Sequence, residues 1–153
     1  MTTDGPRWLD ERQLRAWRGW IEASGRIGRR IEGDLREDSD LTSDDYEVLV
    51  RLAETPGHRL RMADLAEQTM NSPSRLSQRV DRMVRSGLLR REKCEVDRRG
   101  WFAVMTAQGR TRLEAAAPAH VESVRANFIG RLSDEEIDFL ADLLPRLAQI
   151  EAD

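Results

Sequence analysis

The chain has few of the residues that build disulfides, zinc sites and catalytic triads. Its 153 residues include one cysteine, Cys94, and two histidines, His58 and His120. A single cysteine excludes an internal disulfide, and these three residues lack the spacing of a zinc motif. No Ser/His/Asp, Cys/His or glycine-rich phosphate-binding arrangement is available either. We therefore expect no catalytic site, no metal centre and no cofactor.

Long apolar runs are also missing. No stretch approaches the roughly 18 apolar residues that a membrane helix needs, and the amino-terminal MTTDGPRW lacks the pattern of a signal peptide. A hydrophobic content of 39% in 153 residues suits one domain with a core rather than two. We expect a single cytoplasmic domain over residues 1–153 that does not bind a membrane.

Positive charge is concentrated in one segment. The formal net charge of the chain is −3, yet residues 71–100 contain nine basic residues against four acidic ones. This excess of five positive charges leaves the rest of the chain strongly acidic. Such segregation favours the binding of a polyanion at one place on the molecule.

A helix is predicted at the start of this basic segment, from Pro73 to the stop residue Gly87. Asn71 or Ser72 caps its first turn, and proline suits the first helical position. Its apolar residues recur at helical spacing and form one stripe: Leu76, Val80, Met83 and Val84. Its polar residues lie on the opposite arc: Ser74, Arg75, Ser77, Gln78 and Arg85, with Arg79 and Arg82 at the borders. One face packs on the core, and the other is free to bind.

The elements around this helix predict a winged helix-turn-helix lobe over residues 41–106. Thr42 caps an earlier helix, with Asp45 at the third position of a capping box. Further predictions are an extended segment, a short helix, a tight turn, two strands and a charged hairpin tip: Leu60–Met62, Ala63–Gln68, Thr69–Ser72, Leu88–Lys93, Trp101–Met105 and residues 94–100. The fold class is mainly α with a small β-hairpin wing.

Amphipathic helices are predicted at both ends of the chain. The first runs from Leu9 to about Leu35, and the last two begin after Thr106 and after Ser133. Proline predicts a kink near Pro118 and a bend or early end at Pro145. A small winged lobe accommodates these apolar faces poorly, so we expect residues 9–35 and 107–151 to pack against a second copy of the chain.

Several short motifs support a family resemblance. They are Leu65-Ala66, Ser74-Arg75, Asp81-Arg82-Met83, Ser86-Gly87-Leu88, Asp97-Arg98-Arg99-Gly100, and Thr106 with Gly109. Together they resemble the MarR family of bacterial transcription regulators, continuously from about residue 41 to residue 113. The resemblance implies a homodimer with interleaved terminal helices, two lobes on a palindromic operator in double-stranded DNA, and often a small aromatic or phenolic ligand that weakens DNA binding.

The predicted DNA contacts lie at the start of the basic helix and at the wing tip. Arginine pairs with guanine and glutamine with adenine in the major groove, which suits Arg75, Gln78 and their neighbours. The full set is Ser72, Pro73, Ser74, Arg75, Ser77, Gln78 and Arg79, with Arg98 and Arg99 predicted to enter a minor groove. Asp97 is predicted to pair with a nearby arginine and orient the wing, or else simply to form its turn. Arg90, Arg91 and Lys93 are expected to contact phosphate or solvent.

A second group of residues is a candidate ligand site, and its interpretation stays open. It consists of Arg15, Trp17, Arg18, Trp20 and Tyr46. By the resemblance these side chains fall where an aromatic effector binds, and the arginines suit a carboxylate. Alternatively, the aromatic side chains belong to a dimer core. Cys94 is either a small structural residue or a thiol sensor.

We expect a sequence-specific DNA-binding regulator, interpreted as a homodimeric repressor that a small aromatic ligand releases. Two alternatives remain. One is a winged-helix regulator without an effector, and the other is an adaptor whose winged fold serves only protein contacts. An enzyme is disfavoured because no catalytic arrangement is present.

Overall fold

A computed structural model of the chain describes residues 6–95 and 100–149. Within these residues, six α-helices and three strands follow one another along the chain, with short 3₁₀ turns at Pro56–His58 and Ile129–Arg131. The elements are α1 (Glu11–Ser39), α2 (Ser43–Ala53), β1 (Arg59–Arg61), α3 (Met62–Gln68), α4 (Pro73–Arg85), β2 (Leu89–Lys93), β3 (Trp101–Met105), α5 (Ala107–Asn127) and α6 (Asp134–Ala148). The order confirms a winged helix-turn-helix flanked by long helices.

Side-chain caps set where most helices begin. Thr42 caps α2 in a capping box with Asp45, and Ser133 caps α6 in the same way with Glu136. The Thr106 hydroxyl accepts a hydrogen bond from the backbone N–H of Gly109 at the start of α5. These oxygens satisfy backbone donors that the first helical turn leaves free. The three predicted caps are confirmed.

Two predicted helix ends are wrong. The segment after Leu35 was expected to be a loop, but α1 continues to Ser39. Leu35 and Ser39 are both buried, and the Ser39 hydroxyl donates to the Leu35 carbonyl oxygen over 2.6 Å. Tertiary burial therefore outweighs the polar composition of this stretch. A bend or an early end was predicted at Pro145. The early end is wrong, since α6 continues to Ala148 with Pro145 inside it, and the bend stays a prediction.

The sheet is antiparallel, with β3 between β1 and β2. In β2 and β3, Leu89 pairs with Met105 and Lys93 pairs with Trp101. The strand β1 occupies Arg59–Arg61, one residue earlier than predicted, because Met62 already starts α3. Because β1 pairs with β3 and leads directly into α3, it connects the wing to the helix-turn-helix.

The core lies between α4, the helices α2 and α3, and the sheet. The predicted stripe of α4 is confirmed through Leu76, Val80 and Met83, which are almost fully buried. They join the other fully buried side chains of the lobe: Val48, Leu49, Leu52, Leu65 and Ala103. Burying side chains of this size stabilises the fold by roughly 1.5–3 kcal/mol each.

The helices outside the lobe are less completely packed. Helix α1 lies along α5, where the buried Ser123 hydroxyl donates to a carboxylate oxygen of Asp34 over 2.7 Å. Helix α6 contains no buried residue. None of the helices in residues 6–95 and 100–149 is long and apolar enough to cross a membrane.

A close backbone contact joins the end of α4, the wing and the start of α5. The Thr106 hydroxyl donates to the carbonyl oxygens of Gly87 and Leu88, and the backbone N–H of Thr106 also donates to Leu88. Gly109 packs directly on this joint. A Cβ atom there would lie well inside contact distance of the Leu88 carbonyl oxygen and 3.0 Å from Cγ of Met105.

Replacement of Gly109 by alanine should destabilise the chain by about 1–3 kcal/mol, because the added methyl group overpacks against backbone. The matched control is Gly33→Ala on α1, where a Cβ would meet nothing within 4 Å. That variant should be stabilised by about 0.5–1 kcal/mol, since glycine is unfavourable inside a helix. Urea denaturation measures both changes, and equal free energies of unfolding for the two variants would contradict the packing argument.

Candidate nucleic-acid interface

The turn between α3 and α4 presents the amino-terminal end of α4 to solvent. Met70 adopts a left-handed conformation with φ of 51°, and the side-chain amide of Asn71 donates to the backbone and side-chain oxygens of Thr69. The Ser72 hydroxyl then accepts from the backbone N–H of Arg75 over 3.3 Å. The turn is thus held by its own polar side chains, which gives α4 a defined starting point.

Five of the seven residues predicted to contact DNA on this helix are exposed: Ser72, Pro73, Ser74, Arg75 and Gln78. The side chains of Arg75 and Gln78 form no hydrogen bond or ion pair with any residue that the structure describes. Their donors and acceptors are free, while the opposite side of α4 is in the core. An exposed arginine and glutamine on the solvent-facing side of a helix have the chemistry to read base edges.

Ser77 is placed differently, because it is bound by the wing. Nη2 of Arg91 on β2 donates to the Ser77 hydroxyl over 3.0 Å and to its carbonyl oxygen over 3.2 Å. The same nitrogen lies 3.0 Å from a carboxylate oxygen of Asp81. The sequence predicted phosphate or solvent contacts for Arg91 and did not indicate these contacts with α4. Arg91 joins the wing strand to the middle of α4.

Arg79 is also placed differently from the prediction. Its guanidinium lies against the start of α2, where Nη1 is 2.7 Å from Asp45 Oδ1 and 3.1 Å from Thr42 Oγ1. Nη2 is 2.5 Å from Asp44 Oδ2. Only 16% of the Arg79 side chain is exposed. Two carboxylates thus occupy the nitrogens with which an arginine binds bases.

The base of the wing is closed by backbone and by Cys94. The Cys94 N–H donates to the Gly100 carbonyl oxygen over 2.9 Å, and its buried thiol accepts from Nη2 of Arg61 over 3.3 Å. This position agrees with a small structural residue. Asp97, Arg98 and Arg99 lie outside the described residues, so their roles at the wing tip stay predictions.

One copy of the chain does not assemble the candidate ligand site. Arg15, Trp17, Arg18 and Trp20 are exposed on the first half of α1. This helix reaches α2 near Glu32, which accepts from the backbone N–H of Ser43 over 2.6 Å. At 1.5 Å per residue, Trp20 is about 18 Å along the helix from that contact. Trp17 is farther still, so neither tryptophan reaches Tyr46 within one chain.

Tyr46 instead contacts His120 of α5, a residue that the sequence did not indicate. The two ring centroids are 4.3 Å apart. Burial raises the pKa of Tyr46, and the nearby charge of Glu47 acts in the same direction. Burial also lowers the pKa of His120, although Glu47 opposes this. The pair is therefore a neutral, half-buried aromatic surface at neutral pH.

Comparisons with known proteins agree with this geometry. A model of the MarR family matches residues 39–100. The transcriptional regulator HosA of Escherichia coli O157:H7 is 35% identical over 108 residues, which cover 71% of this chain and 78% of HosA. The chain belongs to the MarR family. The family and HosA are transcriptional regulators, not enzymes.

Two solved MarR-family structures from Streptomyces coelicolor have the same fold. AbsC is 44% identical to this chain, and the two structures superpose with a TM-score of 0.89. The alignment covers 94% of this chain and 97% of AbsC. Sco3205, solved in complex with DNA, is 36% identical and superposes with a TM-score of 0.92. The alignment covers 97% of each chain. The likeness extends over the terminal helices as well as the winged lobe.

For this MarR-family chain, sequence reasoning located the exposed face of α4 but missed the residues that hold the helix in place. Arg79 and Arg91 looked like further members of a basic surface. Their partners, Asp45 and Ser77, are 34 and 14 residues away. The acidic Asp44-Asp45 pair at the start of α2 was the one available signal for a basic partner.

Proposed function

We propose that this MarR-family regulator reads a specific operator with the amino-terminal half of α4. The observation that carries the proposal is the contrast between the two sides of this helix. Leu76, Val80 and Met83 are buried, whereas Arg75 and Gln78 are exposed and have no partner among the described residues. Serine and proline at the tight start of the helix let its first turn approach the DNA backbone closely.

The charge distribution supports the same proposal. Basic residues cluster in the segment 71–100 within a chain of net charge −3. A polyanion is attracted to that segment and repelled by the acidic remainder, which orients the protein as it approaches DNA. Arg98 and Arg99, which the sequence places at the wing tip, are proposed to enter the adjacent minor groove. Because the proposed target is a chromosomal operator, we propose that the protein is located in the cytoplasm.

Arg75→Ala should weaken operator binding by about 1–3 kcal/mol, the usual value of a bidentate arginine–guanine pair. The control is Arg29→Ala, which removes the same charge from the exposed surface of α1. Mobility shifts with the DNA upstream of the protein's own gene, at two salt concentrations, measure both variants. Unchanged operator affinity in a folded Arg75→Ala protein would reject the role of α4. Failure of the unaltered protein to retard any DNA at low salt would favour an adaptor.

We also propose that the functional unit is a homodimer. Apolar side chains stay exposed on the long helices of a single copy: Trp17, Trp20 and Ile21 on α1, Val121 on α5, and Phe139 and Leu147 on α6. Exposed apolar surface of this extent on the long helices favours pairing with an identical surface. A two-fold dimer presents two α4 helices to one side of a duplex, which suits a palindromic operator with half-sites about 34 Å apart.

Phe139 is 63% exposed in the single chain and is buried in the proposed dimer. Phe139→Glu should therefore shift the protein toward a monomer, because the dimer would have to bury the new charge. Sedimentation equilibrium measures the mass. The control is Glu135→Ala on the same helix, which changes a fully exposed charged residue and should leave the mass at two chains. A monomeric mass for the unaltered protein at micromolar concentration would contradict the proposal.

A small aromatic carboxylate is the proposed effector, and the regulator is proposed to be a repressor that this ligand releases. Tyr46 and His120 offer a neutral aromatic surface, while Arg15 and Arg18 offer positive charge. One chain does not bring these groups together, so the proposed site needs α1 of a second copy. The Arg79 contacts with α2 lie close to Tyr46, which connects such a site to the DNA-reading helix.

Benzoate, salicylate and 4-hydroxybenzoate should be tested for release of the protein from its operator. At least one of them should release the DNA at millimolar concentration or below, and Arg15→Ala should require more of that compound. Mobility shifts with increasing ligand provide the measurement, with cyclohexanecarboxylate as a non-aromatic control. If no aromatic compound releases the DNA, the ligand proposal is rejected and Trp17 and Trp20 belong to the dimer core.

A further inference from the structure

We propose that Arg79 is a positioning residue that sets the orientation of α4 through the acidic start of α2, and that it does not itself contact DNA. This inference rests on the proposed role of α4 in reading the operator. Asp44 and Asp45 face a helix that is proposed to approach phosphate. The inference gives these two acidic residues a role in DNA binding, because they hold Arg79 and thereby α4 in position.

The contacts of Arg79 use both terminal nitrogens of its guanidinium. Nη1 donates to Asp45 and Thr42, and Nη2 donates to Asp44, over distances of 2.5–3.1 Å. The Nε atom is buried and has no partner in the described structure. For Arg79 to reach a base, its guanidinium would have to leave both Asp44 and Asp45. Asp44 is 62% exposed, but the Asp45 side chain is only 12% exposed. Breaking the contact with Asp45 is therefore the costly step, because a mostly buried carboxylate would lose its shortest ion pair.

Asp45 is the centre of this arrangement. Its side chain is 12% exposed, and Oδ1 also lies 3.4 Å from Nη2 of Arg82, one turn further along α4. Its other oxygen accepts from the backbone N–H of Thr42 in the capping box of α2. The same carboxylate therefore starts α2 and binds two successive turns of α4. A change in its charge should alter the angle between the two helices.

The start of α2 is held from the opposite side as well. Glu32 of α1 accepts from the backbone N–H of Ser43. Burial acts to raise the pKa of Glu32, but hydrogen bonds from Ser43 and Arg36 outweigh burial and lower the pKa. The carboxylate is thus ionised at neutral pH. Because α2 is fixed to α1 on one side and to α4 on the other, Arg79 transmits the position of the long helix to the DNA-reading helix.

Arg91 holds the other side of α4, through Ser77 and Asp81. With Arg79 of α4 bound to the start of α2, and Arg91 of β2 bound to Ser77 and Asp81 of α4, the helix is held on two sides. Arg75 and Gln78 are left without intramolecular partners in the described part of the chain. Paired arginines thus orient α4, and unpaired polar residues are available to the operator.

One substitution distinguishes a positioning role of Arg79 from a direct contact with DNA, by whether operator affinity rises or falls. Removal of a negative charge near a DNA-binding face normally raises the affinity for DNA, because it relieves repulsion from phosphate. If Asp45 positions α4 through Arg79, Asp45→Asn should instead lower operator affinity. The matched control is Asp64→Asn, which removes the same charge from an exposed position on α3 of the same lobe. That control should bind the operator equally well or more tightly.

Salt dependence provides the second readout. Arg79→Ala should weaken operator binding roughly tenfold, the scale of coupling between contacting residues. The slope of log affinity against log salt concentration should stay the same, whereas loss of a phosphate contact reduces its magnitude by about 1. The double variant Arg79→Ala with Asp45→Asn should bind less weakly than the sum of the two single losses predicts, because the Arg79–Asp45 contact is already lost in each single variant.

The experiment is operator binding of the full-length protein at four salt concentrations, with the melting temperature of each variant as a check on folding. Arg79→Lys keeps the charge but cannot span both carboxylates, so it should show a smaller loss with the same slope. This variant provides a test even if Asp45→Asn does not fold. A reduced slope for Arg79→Ala, or tighter binding by Asp45→Asn, would overturn the inference.

Arg75→Ala is measured alongside, so that the two proposals can fail separately. A normal affinity and slope for Arg75→Ala would reject the reading role of α4. A loss of operator affinity for Arg75→Ala, together with a reduced slope for Arg79→Ala, would keep that role and reject positioning by Arg79.

Discussion

Burial of one face of α4 is the interaction on which the rest of the structure depends. Leu76, Val80 and Met83 enter the core between α2, α3 and the sheet. The rotation of the helix about its own axis is thereby set, because each buried side chain requires the residues on the other side to face outward. The wing strand β2 begins only four residues after α4 ends, so the position of the wing follows from the same packing.

Charge then divides the lobe into residues that hold α4 and residues that are free to bind. Of the four arginines in the described part of α4, Arg79 and Arg82 bind the carboxylate of Asp45, while Arg75 has no such partner. Arginine suits the holding role because its planar group bridges two acceptors at once. A high count of basic residues therefore overstates the number that can meet DNA.

In the single chain, the winged lobe has a well-packed core, whereas the long helices leave apolar side chains exposed. The lobe has a continuous core, whereas α6 has no buried residue and α1 exposes Trp17 and Trp20. The same difference separates the two candidate sites. The surface proposed to read DNA is formed by one chain, whereas the candidate ligand site needs residues that one chain keeps apart.

Local structure follows from the amino-acid sequence alone: the caps at Thr42, Thr106 and Ser133, the start of α4 at Pro73, and its buried and exposed faces. These features depend on neighbours within four residues, which periodicity and capping chemistry report directly. Which arginines are free to bind depends instead on tertiary packing. Arg75 and Arg79 lie one helical turn apart and look alike in the sequence. The Arg79 side chain contacts Asp45 across 34 residues, whereas the Arg75 side chain pairs with no described residue. Contacts between distant segments depend on how the helices pack, and no local pattern specifies that packing.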